Sequence, residues 1–278
     1  MSTAGTLLPA VPRAARPRPA APSAGRAVRA GVRDVGTMTA REVRRTLRSV
    51  DGLVTAFAIP VAIMLVFVVI FGGALDSSGD YIDYVVPGIL VLCLGFGSAA
   101  TATAVAQDMT SGTIDRFKTL PILGAAPLWG HVIASVLRNL ASGVVVLGVA
   151  IALGFRPGAD VLGWCAVLGF VVLTVLAFTW ICAAAGLVLS VDATQALNSV
   201  FLFLPYLSSG FVAVGTMPAW LHGFADNQPF TPIIEALRGL LSGTPDAATI
   251  WTAVAWLVGF LVVSIALGSL AYRRRTAR

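Results

Sequence analysis

Of 278 residues, 57% are hydrophobic and only 12% charged, with a mean hydropathy of +0.88. A soluble domain carries roughly twice that charged share, so these values exclude an ordinary water-soluble enzyme and put the chain in a membrane. The net charge of +6 is no nucleic-acid signal, because the basic residues do not form one surface; it reads as topology and attraction to anionic head groups.

Residues 1–35 form a basic Pro/Ala/Arg-rich tail, expected to be disordered and cytoplasmic because it has too little apolar surface to fold. It lacks the apolar core and cleavage pattern of a signal peptide. From 36 to 278 the chain reads as one transmembrane domain. Its first piece, "TMTAREVRRTLRS" (37–49), has the pattern of a short helix lying on the membrane surface. Thr39 is placed to cap it, with Glu42 three residues on.

Six apolar runs follow, each long enough to span: 53–75, 85–106, 128–154, 161–189, 197–217 and 250–271. Sixteen of the nineteen basic residues then fall on one side. Ten are arginines within 1–52, two are Arg116 and Lys118, and four are Arg273, Arg274, Arg275 and Arg278. Basic span ends stay inside, so both termini are expected in the cytoplasm. The spans carry almost no charge; the third holds His131 and Arg138. Small residues four apart, Gly95, Ala99 and Thr103 in the second span and Cys182, Gly186 and Ser190 in the fourth, suit close helix packing. Cys93, Cys165 and Cys182 all lie in spans, without a CxxC, and read as packing residues.

Between the second and third spans lies "QDMTSGTIDRFKTLPI" (107–122). As a short helix it sets Ile114, Phe117 and Leu120 on one ridge. Asp108, Gly112 and Asp115 lie on another face, and Arg116 and Lys118 flank it. Pro121 stops it, since the residue before a proline leaves the helical region. Pattern alone leaves two readings open, a rigid transmission element and a membrane-surface loop.

The connection before the last span is different. Pro205 suggests a break in the fifth span. Thr231 is placed to cap a helix with Pro232 at its first position. Ile233, Ile234, Leu237, Leu240 and Leu241 share a face, Glu235 and Arg238 pair on the other, and Gly243 ends it. This is expected to be an amphipathic helix at the outer surface, too short to cross. Pro229, Thr231, Pro232, Glu235, Leu237, Arg238 and Leu240 are the candidates for an outer gate; a plain surface rest is the other reading.

Catalytic chemistry is missing. A P-loop needs Gly-Lys-Ser/Thr, and the single lysine, Lys118, follows Phe117. His131 and His222 form no HExxH, and no G-x-S-x-G occurs. The chain is therefore expected to be no enzyme and to hold no metal or cofactor.

Four segments carry a resemblance: "IPVAIMLVFVVIFGGAL" (59–75), "DYVVPGIL" (83–90), "DMTSGTIDRFKTLPI" (108–122) and "NQPFTPIIEALRGLLSG" (227–243). In this order the chain is similar to the membrane subunit of type-2 ABC exporters, the daunorubicin-resistance permease group in particular, across most of 40–272. Two departures are Asp108, where the family often has Glu, and Asn227-Gln228-Pro229, where it often has Asn-Pro.

The resemblance implies an all-α integral membrane fold of six transmembrane helices with a cytoplasmic coupling helix. It implies that Asp108, Gly112, Thr113, Asp115, Arg116, Phe117 and Pro121 couple to a separate ATPase dimer, which would bind ATP and Mg. It implies a second permease copy or homologue, a bacterial cell-membrane location, and export of an amphiphilic drug-like or lipid-linked cargo. A glycan exporter is the rival within transport. An ion-coupled transporter or membrane enzyme is the rival outside it, and would need the buried ionisable groups or repeats that the spans lack.

Overall fold

The computed structural model describes residues 24–72, 81–111 and 126–276. All regular structure in them is helical. Helix α1 (Ala24–Arg48) leads into a broken helical segment: α2 (Val50–Leu53), a π-turn (Val54–Ala58), α3 (Ile59–Leu65) and a second π-turn (Val66–Phe71). Then come α4 (Tyr81–Thr110), α5 (Ala126–Ala152), α6 (Val161–Gly186) and α7 (Val191–Phe203). The chain finishes with α8 (Ala219–Asn227), α9 (Phe230–Ser242) and α10 (Ala247–Thr276).

Four helices are long and apolar enough to cross a bilayer: α4, α5, α6 and the Ala247–Tyr272 part of α10. The expected first span corresponds to the broken segment ending at Phe71. The expected fifth does not run on to 217 as one helix. Pro205 removes a backbone donor, so α7 stops at Phe203, a 3₁₀ turn (Leu204–Leu207) follows, and the chain bends away.

Helix α4 is the centre of the bundle. It packs against α5, α6, α7 and α9, and most of its apolar length is buried. The small-residue stripes work largely as expected. A Cβ on Gly186 would lie 2.4 Å from the Ala102 carbonyl oxygen, and one on Gly95 would lie 2.9 Å from the Phe201 ring. Ser190 departs from its stripe: its side chain caps α7 by accepting from Ala193 N–H. Helix α6 is capped by Asp160, which accepts from Gly163 N–H at 2.7 Å. Cys93 and Cys182 are buried free thiols, whereas Cys165 is exposed.

Two differences reshape the ends of the bundle. Helix α1 begins at Ala24, inside the expected tail, so Thr39 lies mid-helix and its hydroxyl donates to the Val35 carbonyl instead of capping. The helix also docks along α5: a Cβ on Gly130 would lie 2.6 Å from Met38 Cβ and 3.2 Å from Thr39 N. Only glycine allows that approach.

Helix α9 forms where the sequence indicates and ends on Gly243, whose φ of 76° closes it in the left-handed region. It does not rest on a surface. It is sunk among α4, α6 and α10, with Phe230, Ile233, Ile234, Ala236, Leu237, Leu240 and Leu241 all buried. Its far end meets the α5–α6 loop, where Gly158 N–H donates to the Leu241 carbonyl. Its near end lies about 20 Å away at 1.5 Å per residue, where Phe230 stacks on Phe178 at 5.4 Å. Helices α8 and α9 are thus a helical hairpin whose second arm is buried in the bundle. The reason is the extent of its apolar surface, which exceeds one stripe and needs partners on several sides.

Candidate functional site

At the arginine-rich end, three helices meet in a polar junction. Helix α1 contributes Arg41, Glu42 and Arg45; the last turns of α4 contribute Gln107 and Asp108; the start of α5 contributes His131. The His131 ring stands between two buried carboxylates, with Nε2 3.0 Å from Asp108 Oδ2 and Nδ1 3.6 Å from Glu42 Oε2. Arg41 lies 3.3 Å from Glu42 and 3.6 Å from Asp108. Arg45 lies 3.6 Å from Asp108, and its Nη2 donates to Gln107 Oε1 at 3.1 Å. Buried acids are tolerable only when paired in this way.

Glu42, Asp108 and His131 place ligand atoms within 4.8 Å of one another. A divalent ion there would have to displace two guanidinium groups, so the arrangement reads as an ion-pair clamp.

Of the seven residues expected to couple to a partner, Asp108 is the one the structure describes. It faces α1 and α5 rather than solvent. Gly112, Thr113, Asp115, Arg116, Phe117 and Pro121 lie outside the described residues. The clamp nevertheless holds together α4 and α5, the two helices that this stretch of sequence connects. Glu42, expected to complete a helix cap, is a clamp residue instead.

Next to the clamp is a cavity of about 680 Å³ between α1, the first π-turn, α4, α5 and α7. Arg138 lines it from α5. Its Nη2 donates to the Gly97 carbonyl at 2.9 Å and lies 3.4 Å from Thr101 Oγ1 and 3.3 Å from Ser135 Oγ. Behind it runs a buried hydroxyl thread, from Ser135 to Thr179 and on to Ser98, at 3.2 Å each. The expectation of nearly charge-free spans holds for α6 and for the apolar stretch of α10.

At the other end, the structure joins two of the candidate gate residues, Arg238 and Glu235, in one polar contact, while Pro229, Thr231 and Pro232 lie at the opposite end of α9. Arg238 pairs with Glu235, as the spacing indicates. It also donates to the Tyr84 carbonyl at 3.1 Å and the Ser209 carbonyl at 2.8 Å, and lies 3.9 Å over the Tyr84 ring. Tyr84 returns a hydrogen bond to Ser209 O at 2.8 Å. Arg238 therefore ties α9 to α4 and to the turn after α7. Leu237 and Leu240 are buried, Pro229 precedes α9, and the Thr231 hydroxyl donates to the Ala225 carbonyl across the hairpin rather than capping. Pro232 sits in the first turn. An aromatic group, Phe67, Tyr206 and Phe211, with centroids 4.4–5.8 Å apart, packs beside this end.

Comparison with known proteins gives a consistent picture. The family profile described as "ABC-2 type transporter" matches residues 33–242. A daunorubicin resistance ABC transporter permease protein, DrrB1 of Streptomyces coeruleorubidus, is 30% identical over 230 residues, 81% of each chain. A probable doxorubicin resistance permease, DrrC of Mycobacterium tuberculosis H37Rv, is 25% identical over 263 residues, covering 91% of this chain and 93% of its own. The DrrB protein of the same strain is 26% identical over 248 residues.

Proposed function

Since the chain belongs to the ABC-2 type transporter family, as a membrane-embedded permease, we propose that it is the pathway half of an ATP-driven exporter whose cargo is an amphiphilic drug-like or lipid-linked molecule. A separate ATPase dimer binds ATP and Mg and docks on the loop after α4. A second permease copy or homologue completes the pathway. The chain crosses a bacterial cell membrane six times with both termini inside: the broken segment, α4, α5, α6, α7 with its 3₁₀ extension, and α10.

The observation that carries this reading is the clamp. Arg41, Arg45, Glu42, Asp108 and His131 bind α1 to the last turn of α4 and the first turns of α5. Those are the two helices joined by the 112–125 loop. A push on that loop would reach three helices together instead of being absorbed by one. The charge-poor interior supports an apolar cargo, and the relatives' names support a drug.

The test is efflux. Cells producing the chain with its cognate ATPase should retain less doxorubicin than cells producing the ATPase alone. An outside-only maleimide should label a cysteine placed at Ala247 and spare one placed at Val188. Equal retention sinks the drug reading, and labelling of position 188 sinks the topology.

A further inference from the structure

The turn between α8 and α9 carries a carboxylate that nothing in the bundle pairs. Its depth follows from three contacts. Phe230, the first residue of α9, stacks on Phe178 at 5.4 Å and lies 6.2 Å from the Phe201 ring. Phe178 is about 26 Å along α6 from Val161, at 1.5 Å per residue. Phe201 packs on Gly95, which is about 21 Å along α4 from Tyr81. Val161 and Tyr81 mark the outer end in the six-span arrangement, so Phe230 sits well inside a hydrocarbon core about 30 Å thick. The Thr231 hydroxyl donates to the Ala225 carbonyl, which holds the last turn of α8 at the same level. Beside Ala225, the side chains of Asp226 and Asn227 are exposed. Among the described residues Asp226 makes no ion pair and no hydrogen bond. The two basic groups of the hairpin are engaged elsewhere. His222 donates Nε2–H to the Met217 carbonyl at 2.8 Å, and Arg238 is held by Glu235, Tyr84 and Ser209.

An unpaired carboxylate at that depth is too costly to leave against lipid, so this side of α8 faces water. Gly223 and Trp220 are the helical neighbours of Asp226 there, at successive three-residue steps. A Cβ on Gly223 would meet nothing within 4 Å, and Trp220 is 80% exposed. The exposed side of α8 therefore offers an open slot with an acid at one end and an indole ring at the other. We propose that this side of α8 lines the transport pathway and that Asp226 is its cation subsite, which takes the protonated amine of an amphiphilic cargo. The ammonium group pairs with the carboxylate in a charge-assisted hydrogen bond. The apolar body lies over Gly223, and an aromatic one meets the face of Trp220. This rests on the exporter reading and names its substrate class. Anionic amphiphiles are repelled at the same place.

The test uses the full chain in phosphatidylcholine nanodiscs, with two readouts. The first is modification by a charged, water-soluble methanethiosulfonate, measured above the background of the native cysteines. Asp226→Cys should react, and Val262→Cys, on the exposed side of α10, should not. The second is binding of radiolabelled imipramine, a protonated amine on an apolar ring system, read by scintillation proximity. Binding should be saturable. Iminodibenzyl, the same rings without the amine, should compete about tenfold or more less well than unlabelled imipramine, and naphthaleneacetate should not compete. Asp226→Asn should weaken binding about tenfold or more, and Asp226→Glu should restore most of it. Gly223→Leu, which fills the slot and keeps the charge, should also weaken it. The wild-type competition series keeps the idea testable if a variant does not fold. Wild-type binding in Asp226→Asn, equal competition by iminodibenzyl, or an unreactive Asp226→Cys overturns the proposal. A lower particle mass for Asp226→Asn also overturns it, because Asp226 would then be a contact between two copies of the chain. Both readouts work without ATPase or efflux, so their failure leaves the exporter reading standing, and failure of efflux leaves the binding result standing.

Discussion

Two arginines, 100 residues apart in sequence, set the character of the two ends at the scale of single side chains. Arg138 has donors to spare, whereas Arg238 is fully engaged. The latter bridges Glu235, two backbone carbonyls and the face of Tyr84. Hydrogen bonds from a charged donor contribute about 1.5–3 kcal/mol each, and removing one partner leaves the other unsatisfied. Arg238→Ala is therefore expected to destabilise the hairpin by about 2 kcal/mol or more, seen as a lower thermal midpoint of the purified chain. Arg238→Lys should fall between, since one ammonium cannot hold both carbonyls and the ring in the same geometry. An unchanged midpoint in Arg238→Ala would mean that the hairpin is held by its apolar surface alone. Of this site, the Glu235–Arg238 pair was readable because it is local. The partners on Tyr84 and Ser209 were not: they are backbone carbonyls far away in sequence, and carbonyls carry no residue signature.

Single elements show the same division. Pro205 ends α7 and Gly243 ends α9, and both breaks follow from the chemistry of one residue. The depth of α9 does not. A stripe of apolar residues indicates that a helix has a side to bury, and only the number of neighbours decides whether it lies on a surface or enters the bundle. Helix α1 repeats the lesson. Its arginines and its amphipathic pattern pointed to the membrane surface, but Glu42 is paired with residues of α4 and α5 that no local spacing reveals. Its docking hinges on Gly130. A valine there would meet Met38 Cβ and the Thr39 backbone, and such overpacking typically costs 1–3 kcal/mol. Gly130→Val is expected to lift α1 from α5, so that trypsin cuts at the α1 arginines about tenfold or more faster than in the wild-type chain, as opening governs cleavage. Unchanged cleavage would show that α1 is held by the clamp without the close contact.

At the scale of the whole molecule, the structure joins a polar clamp at one end to a buried helical hairpin at the other through α4, which touches both. Asp108 near its last turn belongs to the clamp, and the Tyr84 carbonyl in its first turn accepts from Arg238. The membrane class, the helical content and the sorting of arginines were legible because a bilayer imposes them on composition. The clamp was not, because its members come from three helices and each, alone, resembles an ordinary surface charge.

The central claim is that work enters this chain at the loop after α4. The measurement is co-purification with the cognate ATPase, together with ATP hydrolysis in membranes, for wild type and for Gly112→Val, Arg116→Ala and Phe117→Ala. Losing one central anchor of an interface costs about 2 kcal/mol or more, around thirtyfold in affinity. The account predicts that all three variants insert and fold like the wild type, yet lose the ATPase and the cargo-stimulated part of its hydrolysis. Wild-type complex formation and stimulation in all three would contradict it.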